Sequence, residues 1–247
     1  MGALTFLKNH PFAVEAHFNR SVVFTFAVPK QQLERFLPEC LSLDTFNNEY
    51  GFIAVAMVDT KNLRPKGTPE TMGNNFVLIG YRVFVRYTNN KGKRLRGLYI
   101  LKSETNKKKM EFFGNIFTHY NYTTTDIIFE DSEKGTDVTS QGSNFHASFN
   151  FVSEESPLPE GSPFANWKEA RRFMGPLPFT FTYDQASKEV LIIEGVRQNW
   201  KPQPLSVTDY HFRFLDDLNL KDIVLANAFQ ITNVPYYWKK GVKELWE

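Results

Sequence analysis

The chain has 247 residues, 23% of them charged and 42% apolar, with a formal charge of +2 and a single cysteine. A chain of this length buries roughly 70% of its unfolded surface, so a sizeable core forms without disulfides or metal, and wholesale disorder is excluded. The near-neutral balance excludes a general nucleic-acid or membrane-surface binder, and the longest apolar run, 52–58, is the length of a strand and not of a membrane span.

In chain order, 21–28 reads as a strand with Val22, Phe24, Phe26 and Val28 on one face. Pro29 opens and Pro38 closes a short helix over 29–37. The run 52–58 is apolar on both faces, as in a strand covered on both sides. Over 75–87, Val77, Ile79, Tyr81, Val83, Val85 and Tyr87 share one face, while Arg82 and Arg86 take the other. The polar turn Asn89-Asn90-Lys91-Gly92 leads into 95–101, and the two runs predict a hairpin. A helix over 106–117 follows a cap at Thr105 or Asn106 and carries Met110, Phe113 and Phe117 as its apolar stripe.

Strands are predicted over 126–130 and 144–152, then a surface loop over 156–163 and an amphipathic helix over 166–174 ended by Gly175-Pro176. Further strands cover 179–183, 189–198 and 208–214, and helices over 220–228 and 238–246 complete the chain. Phenylalanine is unusually frequent, 24 residues, and much of it recurs at every second position. That period predicts one α+β domain over 1–247, built on an antiparallel sheet that curls into a barrel or packs on a second sheet.

Signatures of chemistry are sparse. There is no GxSxG, P-loop, GxGxxG, HExxH or CxxC pattern. His10, His17, His119, His146 and His211 are scattered; His146 and His211 fall on strand faces that could meet on one surface, but two histidines without a third ligand predict no metal site. Cys40 follows a helix end with no local base, which predicts no nucleophile. Residues 1–11 lack a basic start followed by a long apolar stretch, so the expectation is a cytoplasmic protein without a secretory signal. Lys107-Lys108-Lys109 occupies the first turn of a predicted helix, where the dipole disfavours cations. Crowded amines there would depress one another, as in a Schiff-base lysine; the plainer reading is a solvated turn.

The order of elements resembles acetoacetate decarboxylase. His17-Phe18-Asn19-Arg20, then a strand, a helix and Pro38-Glu39-Cys40-Leu41-Ser42-Leu43-Asp44, is similar to that enzyme's opening His-Asn-Arg triplet and its Pro-Glu-Pro-Leu-Glu-Ile-Asp. Ala56-Met57-Val58-Asp59-Thr60-Lys61-Asn62-Leu63 is similar to its Ala-Met-x-Asp-Thr-x-x-Leu, and 215–224 to its closing helix entry. Val196-Arg197-Gln198-Asn199-Trp200-Lys201-Pro202-Gln203 resembles an uncharacterised branch of the superfamily. The resemblance spans most of the chain, weakly in 130–178. It implies a cone-shaped antiparallel β-barrel with flanking helices around a small-molecule pocket, with no cofactor or metal.

The resemblance also implies site residues. Arg20 matches the triplet arginine and Glu70 lies near the family's glutamate, both of which serve a β-keto acid. Tyr122 stands where the family's Tyr-Pro-Lys-Lys places its imine-forming lysine, and a phenol forms no imine. Lys102 and Lys107 are the nearest lysines in sequence. The expectation is therefore a pocket that binds a small organic acid, with Arg20, Glu70 and Tyr122 as ligand-binding residues and Tyr122, Glu70 and Lys102 as catalytic candidates. Arg20 shares the parity of Val22, Phe24 and Phe26, so it points inward with them if that face is the inner one. An enzyme with other lyase chemistry (decarboxylase, hydratase or aldolase-like) and a ligand-free interaction module stay open. Partners are expected to be a carboxylate-bearing small molecule, not nucleic acid or membrane, and the composition is compatible with a homo-oligomer.

Overall fold

The computed structural model describes residues 5–198 and 200–246; Asn199 of the 196–203 motif and residues 1–4 lie outside them. After a 3-10 turn at Thr5–Asn9 come β1 (Val14–Pro29), α1 (Lys30–Glu34), β2 (Ser42–Leu43) and β3 (Tyr50–Pro65). A second 3-10 turn, Glu70–Met72, precedes the hairpin of β4 (Asn74–Thr88) and β5 (Arg94–Thr105), then α2 (Lys108–Phe117) and β6 (Tyr122–Thr124). β7 (Ile128–Ser132), β8 (Gly135–Ser140) and β9 (Phe145–Phe151) form a meander, followed by α3 (Trp167–Met174). The remainder is β10 (Phe179–Asp184), β11 (Glu189–Arg197), β12 (Gln203–Phe212), α4 (Arg213–Asp217), β13 (Val224–Trp238) and β14 (Val242–Leu245).

The fold is mostly β with few helices. Strands β11, β10, β5, β4, β3, β1 and β13 are hydrogen-bonded in that order, and β13 pairs back onto β11, so seven strands close a ring. β12, β9, β8 and β7 continue outward from β13. Pairing is antiparallel except at β5, which runs parallel to both β10 and β6, a correction to the wholly antiparallel expectation. For β6 the cause is the crossover through α2, which returns the chain beside β5 in the same direction.

Two predicted helices are strands. Residues 220–228 run into β13, a strand buried on both faces, and such a continuous apolar run has the same signature as a buried helix. Pairing with β1 along its length overrides the helical preference of Leu225-Ala226-Asn227-Ala228. The 238–246 stretch likewise forms β14 on the edge of β11. The predicted strand 208–214 ends at Phe212, where α4 begins.

The sheet uses its two faces differently. Ile53, Val55 and Met57 of β3 and Ile79, Tyr81 and Val83 of β4 point into a core shared with Phe24, Phe26, Phe149 and Phe212. Its rings meet edge to face, Phe24 at 5.8 Å from Phe149 and Phe26 at 6.1 Å from Phe212. The alternate positions, Ala54, Ala56, Val58, Leu78 and Phe84, point the other way, where α2 and α3 close over them. Among the described residues no helix is long and apolar enough to cross a membrane.

Candidate functional site

A cavity of about 510 Å³ lies on that second face. Its floor is hollow because the side chains there are small: Ala56 stands opposite Gly80, and Ala54 opposite Arg82, across β3 and β4. The walls are predominantly apolar, from Phe18 and Val23 on β1 to Leu98 and Ile100 on β5 and Phe229 and Ile231 on β13. α2 closes one side with Met110, Phe113 and Phe117, and the segment after α3 closes another with Leu177. The mouth lies where exposed Met72, Phe113 and Lys109 meet Pro11, Phe12 and Pro65.

Three arginines, Arg64, Arg82 and Arg197, line this cavity, and no Asp or Glu among the described residues does; Arg64 is already paired with Glu15 at 2.9 Å. Arg82 lies across its own strand: a Cβ on Gly80 would sit 2.9 Å from its Nε, so glycine there makes room for the side chain. Arg82 makes no hydrogen bond to any described residue, and its Nε is buried without a partner. The surface it keeps faces the cavity. Burial lowers the Arg82 guanidinium from its ordinary value; Tyr122, Tyr236 and Tyr120 offset part of this, and Arg197 adds to it. Arg197 is better held, donating from Nη2 to the Leu177 carbonyl at 3.0 Å and lying 4.4 Å over the Trp200 ring.

Phenols stand beside these cations. Tyr122, Tyr120 and Tyr236 border the cavity, and Tyr236 pairs across the strands with Arg197. Burial pushes the Tyr122 hydroxyl up to about 12, with Arg82 pulling it back, so it is a neutral donor at physiological pH. The Tyr120 hydroxyl is also raised, first by burial and then by Tyr122. Tyr122 is fixed from α2: Asn115 donates to its carbonyl at 2.9 Å and accepts from its backbone N–H at 2.7 Å. Glycines again clear the space, since a Cβ on Gly114 would lie 2.4 Å from the Tyr122 ring and one on Gly195 2.1 Å from the Tyr236 hydroxyl. Thr60 Oγ1 and Trp200 Nε1, both at the cavity, are buried without partners. The arrangement can seat a carboxylate on a planar fork and offer phenol protons to a neighbouring oxygen.

Of the expected site residues Arg20, Glu70, Tyr122 and Lys102, the structure brings only Tyr122 to the cavity; His10 and Lys109 line it as well. Arg20 lies on the opposite face of the sheet, where it forms a two-pronged pair with Asp131 at 2.7 and 3.0 Å and covers the Phe129 ring at 4.3 Å. Arg20 does keep the side of Val22 and Phe24, but that side is the packed core and not the cavity, so the inward expectation is corrected. The register shift between Phe18 and Arg20 instead turns Phe18 to the cavity side. Phe18, Ser21 and Val23 thus face the cavity, while Arg20, Val22 and Phe24 share the other side. Glu70 is exposed in its 3-10 turn, 3.7 Å from Arg64. Lys102 opposes Tyr81 on the core side and pairs with Glu104 at 3.0 Å. Lys107 is exposed ahead of α2, and Lys109, two residues on, is the lysine at the cavity mouth. His146 and His211 do stand opposite each other on β9 and β12, ring centroids 5.9 Å apart and each against an aspartate. No group of three metal-ligating side chains is found among the described residues.

Sequence reasoning missed Arg82, Arg197, Tyr236 and Trp200 as site residues. For Arg82 a signal existed: it shares a strand face with Leu78, Gly80 and Phe84, an apolar setting that water cannot supply.

The fold has relatives among solved structures. The chain is similar to acetoacetate decarboxylase from Legionella pneumophila, with 12% identity, a TM-score of 0.64, and coverage of 95% of this chain and 88% of that one. An acetoacetate decarboxylase-like enzyme from Sphingomonas wittichii matches at 9% identity and a TM-score of 0.59 over 96% and 94% of the two chains. The enduracididine biosynthesis enzyme MppR, in complex with pyruvate, matches at 10% identity and a TM-score of 0.57 over 95% and 90%. Among curated proteins none matches at the level of sequence. The chain thus has the acetoacetate decarboxylase-like fold, and residues 15–240 match the model of DUF2071, described as "Uncharacterized conserved protein (COG2071)", so it belongs to that family.

Proposed function

We propose that the protein binds a small organic acid in this cavity and does so without forming an imine. The observation that carries the reading is charge: Arg82 opens into a cavity bordered by no described carboxylate and has no acceptor among the described residues. An enclosed, unpaired cation costs several kcal/mol even after relaxation. A bound carboxylate offsets that cost, because the guanidinium fork donates two parallel bonds to it. The role expected of Arg20 passes to Arg82, with Arg197 and the Tyr122 hydroxyl beside it. We read the ring of seven strands as a cone-shaped barrel holding this site. A filled interaction module is disfavoured by the hollow of about 510 Å³ where Phe side chains would have to pack.

Tyr122 stands where the resemblance puts the imine-forming lysine, and Lys102 faces the other side of the sheet. Lys109 is exposed at the mouth. Two measurements test the reading. A thermal-shift screen of small carboxylates should stabilise the wild type and leave Arg82→Met unmoved; equal stabilisation of both proteins rejects Arg82 as the anion site. Incubation with acetoacetate and borohydride should leave the mass of the chain unchanged. Stoichiometric trapping on Lys109 or Lys102 would restore Schiff-base chemistry.

A further inference from the structure

Arg82, Arg197 and the phenols stand close together. The path from there to the mouth is mainly apolar, broken by Ser21, Ser103 and Thr60, with Arg64, Asn74 and Lys109 at the entrance. Resting on the anion-binding reading, we infer that the ligand is a lipophilic carboxylic acid: a carboxylate on Arg82 and an acyl or aromatic body extending toward α2, instead of a short keto acid. Along β4 the cavity face carries Phe76 near the mouth, then Leu78, then Gly80 and Arg82. Six residues of strand separate Phe76 from Arg82, about 20 Å at the usual rise. On the neighbouring strand the same path is Val58, Ala56 and Ala54. A ligand of a few carbons seated on Arg82 would leave that wall facing water, whereas a cavity of about 510 Å³ lies in the size range of drug-sized ligands. The entrance agrees with an apolar passenger, since Met72 and Phe113 at the mouth are 61% and 41% exposed.

The test is calorimetric titration of the full chain with straight-chain carboxylates from butanoate to dodecanoate. Acetoacetate, 2-naphthoate, decanol and decylamine complete the panel. Affinity should rise about three- to fourfold per methylene, the equivalent of ~0.8 kcal/mol per buried CH₂, until the hollow is full. Decanoate should bind at least tenfold more tightly than decanol and decylamine. Arg82→Met should abolish the preference for decanoate over decanol. Ala56→Leu, which fills the path and leaves the cation, should weaken decanoate at least tenfold and spare butanoate. A preference for 2-naphthoate over every linear acid would identify the body as aromatic and still support the inference. Acetoacetate or butanoate binding as tightly as decanoate overturns it, while leaving the anion site intact. Decanol matching decanoate in the wild type, or binding of no acid at all, overturns the anion site itself.

Discussion

Gly114→Ala sets two effects of known size against each other. In a free helix the substitution stabilises by about 1 kcal/mol, because glycine loses more backbone entropy on folding. At this position of α2 the new methyl would lie 2.4 and 2.8 Å from two ring carbons of Tyr122 and 3.2 Å from the Met110 methyl. Ordinary carbon contacts are about 3.5–4.0 Å, so the ring must retreat by about 1 Å. It cannot do so freely, because Asn115 grips the Tyr122 backbone from both sides. Overpacking of this kind costs about 1–3 kcal/mol. The net expectation is a loss of up to ~2 kcal/mol, or a fall of up to about 8 °C in Tm for a chain of this size. Anion affinity should fall as well, because the proposed site counts the displaced hydroxyl among its donors. Urea unfolding and carboxylate titration of the same preparation measure both. In a Tyr122→Leu background the clash is absent and the helix preference should reappear as a gain. A Gly114→Ala protein more stable than wild type by about 1 kcal/mol, with unchanged affinity, refutes the placement of Tyr122 against α2 and its part in the site.

Arg82→Met should stabilise the ligand-free protein by about 1–3 kcal/mol, since it removes an enclosed cation that lacks a partner; a comparable loss in urea unfolding would mean that the guanidinium is satisfied in the folded state. Burial holds His10 below its ordinary value of 6.5, and His119 likewise. The unfolded chain takes up those protons first, so stability is lost as pH falls below 6.5 and levels off below the depressed native values. His10→Gln should flatten the pH dependence of the urea midpoint on that acid side, and an unchanged slope rejects the assignment. Burial also pushes the Cys40 thiol up to about 11, so a disulfide-exchange reagent should label native protein far more slowly than urea-unfolded chain, and equal rates would contradict its burial.

How much of this was visible in the residues depended on which face of a strand carried the information. The hairpin of β4 and β5 was plain, because Val77, Ile79, Tyr81, Val83 and Val85 alternate without interruption. The helical stripe of Met110, Phe113 and Phe117 likewise located α2 to within two residues at its start. β13 was not legible, since a strand with cover on both sides loses the period that would distinguish it from a buried helix. For the site, Tyr122 came from the resemblance, but Arg20 failed because the face it shares with Val22 and Phe24 is the packed core, and which side of a sheet encloses the hollow is not written in one strand. Arg82 was read correctly onto the face away from Tyr81. What the sequence left unsaid was that this face is enclosed too, which depends on where α2 and α3 dock.

The alternation along β3 and β4 divides labour at the scale of single residues. Odd positions hold the packed core, even positions shape the hollow, and neighbours in sequence answer to different demands. A saturation scan along 53–58 should therefore beat with a period of two. Enlarging Ala54 or Ala56 would alter what fits the hollow at small cost in folding, whereas truncating Val55 or Met57 would empty a core site at about 2–5 kcal/mol for the larger side chain. A chain built this way can exchange one ligand for another by rewriting every second letter of two strands, without renegotiating the packing on which the sheet depends.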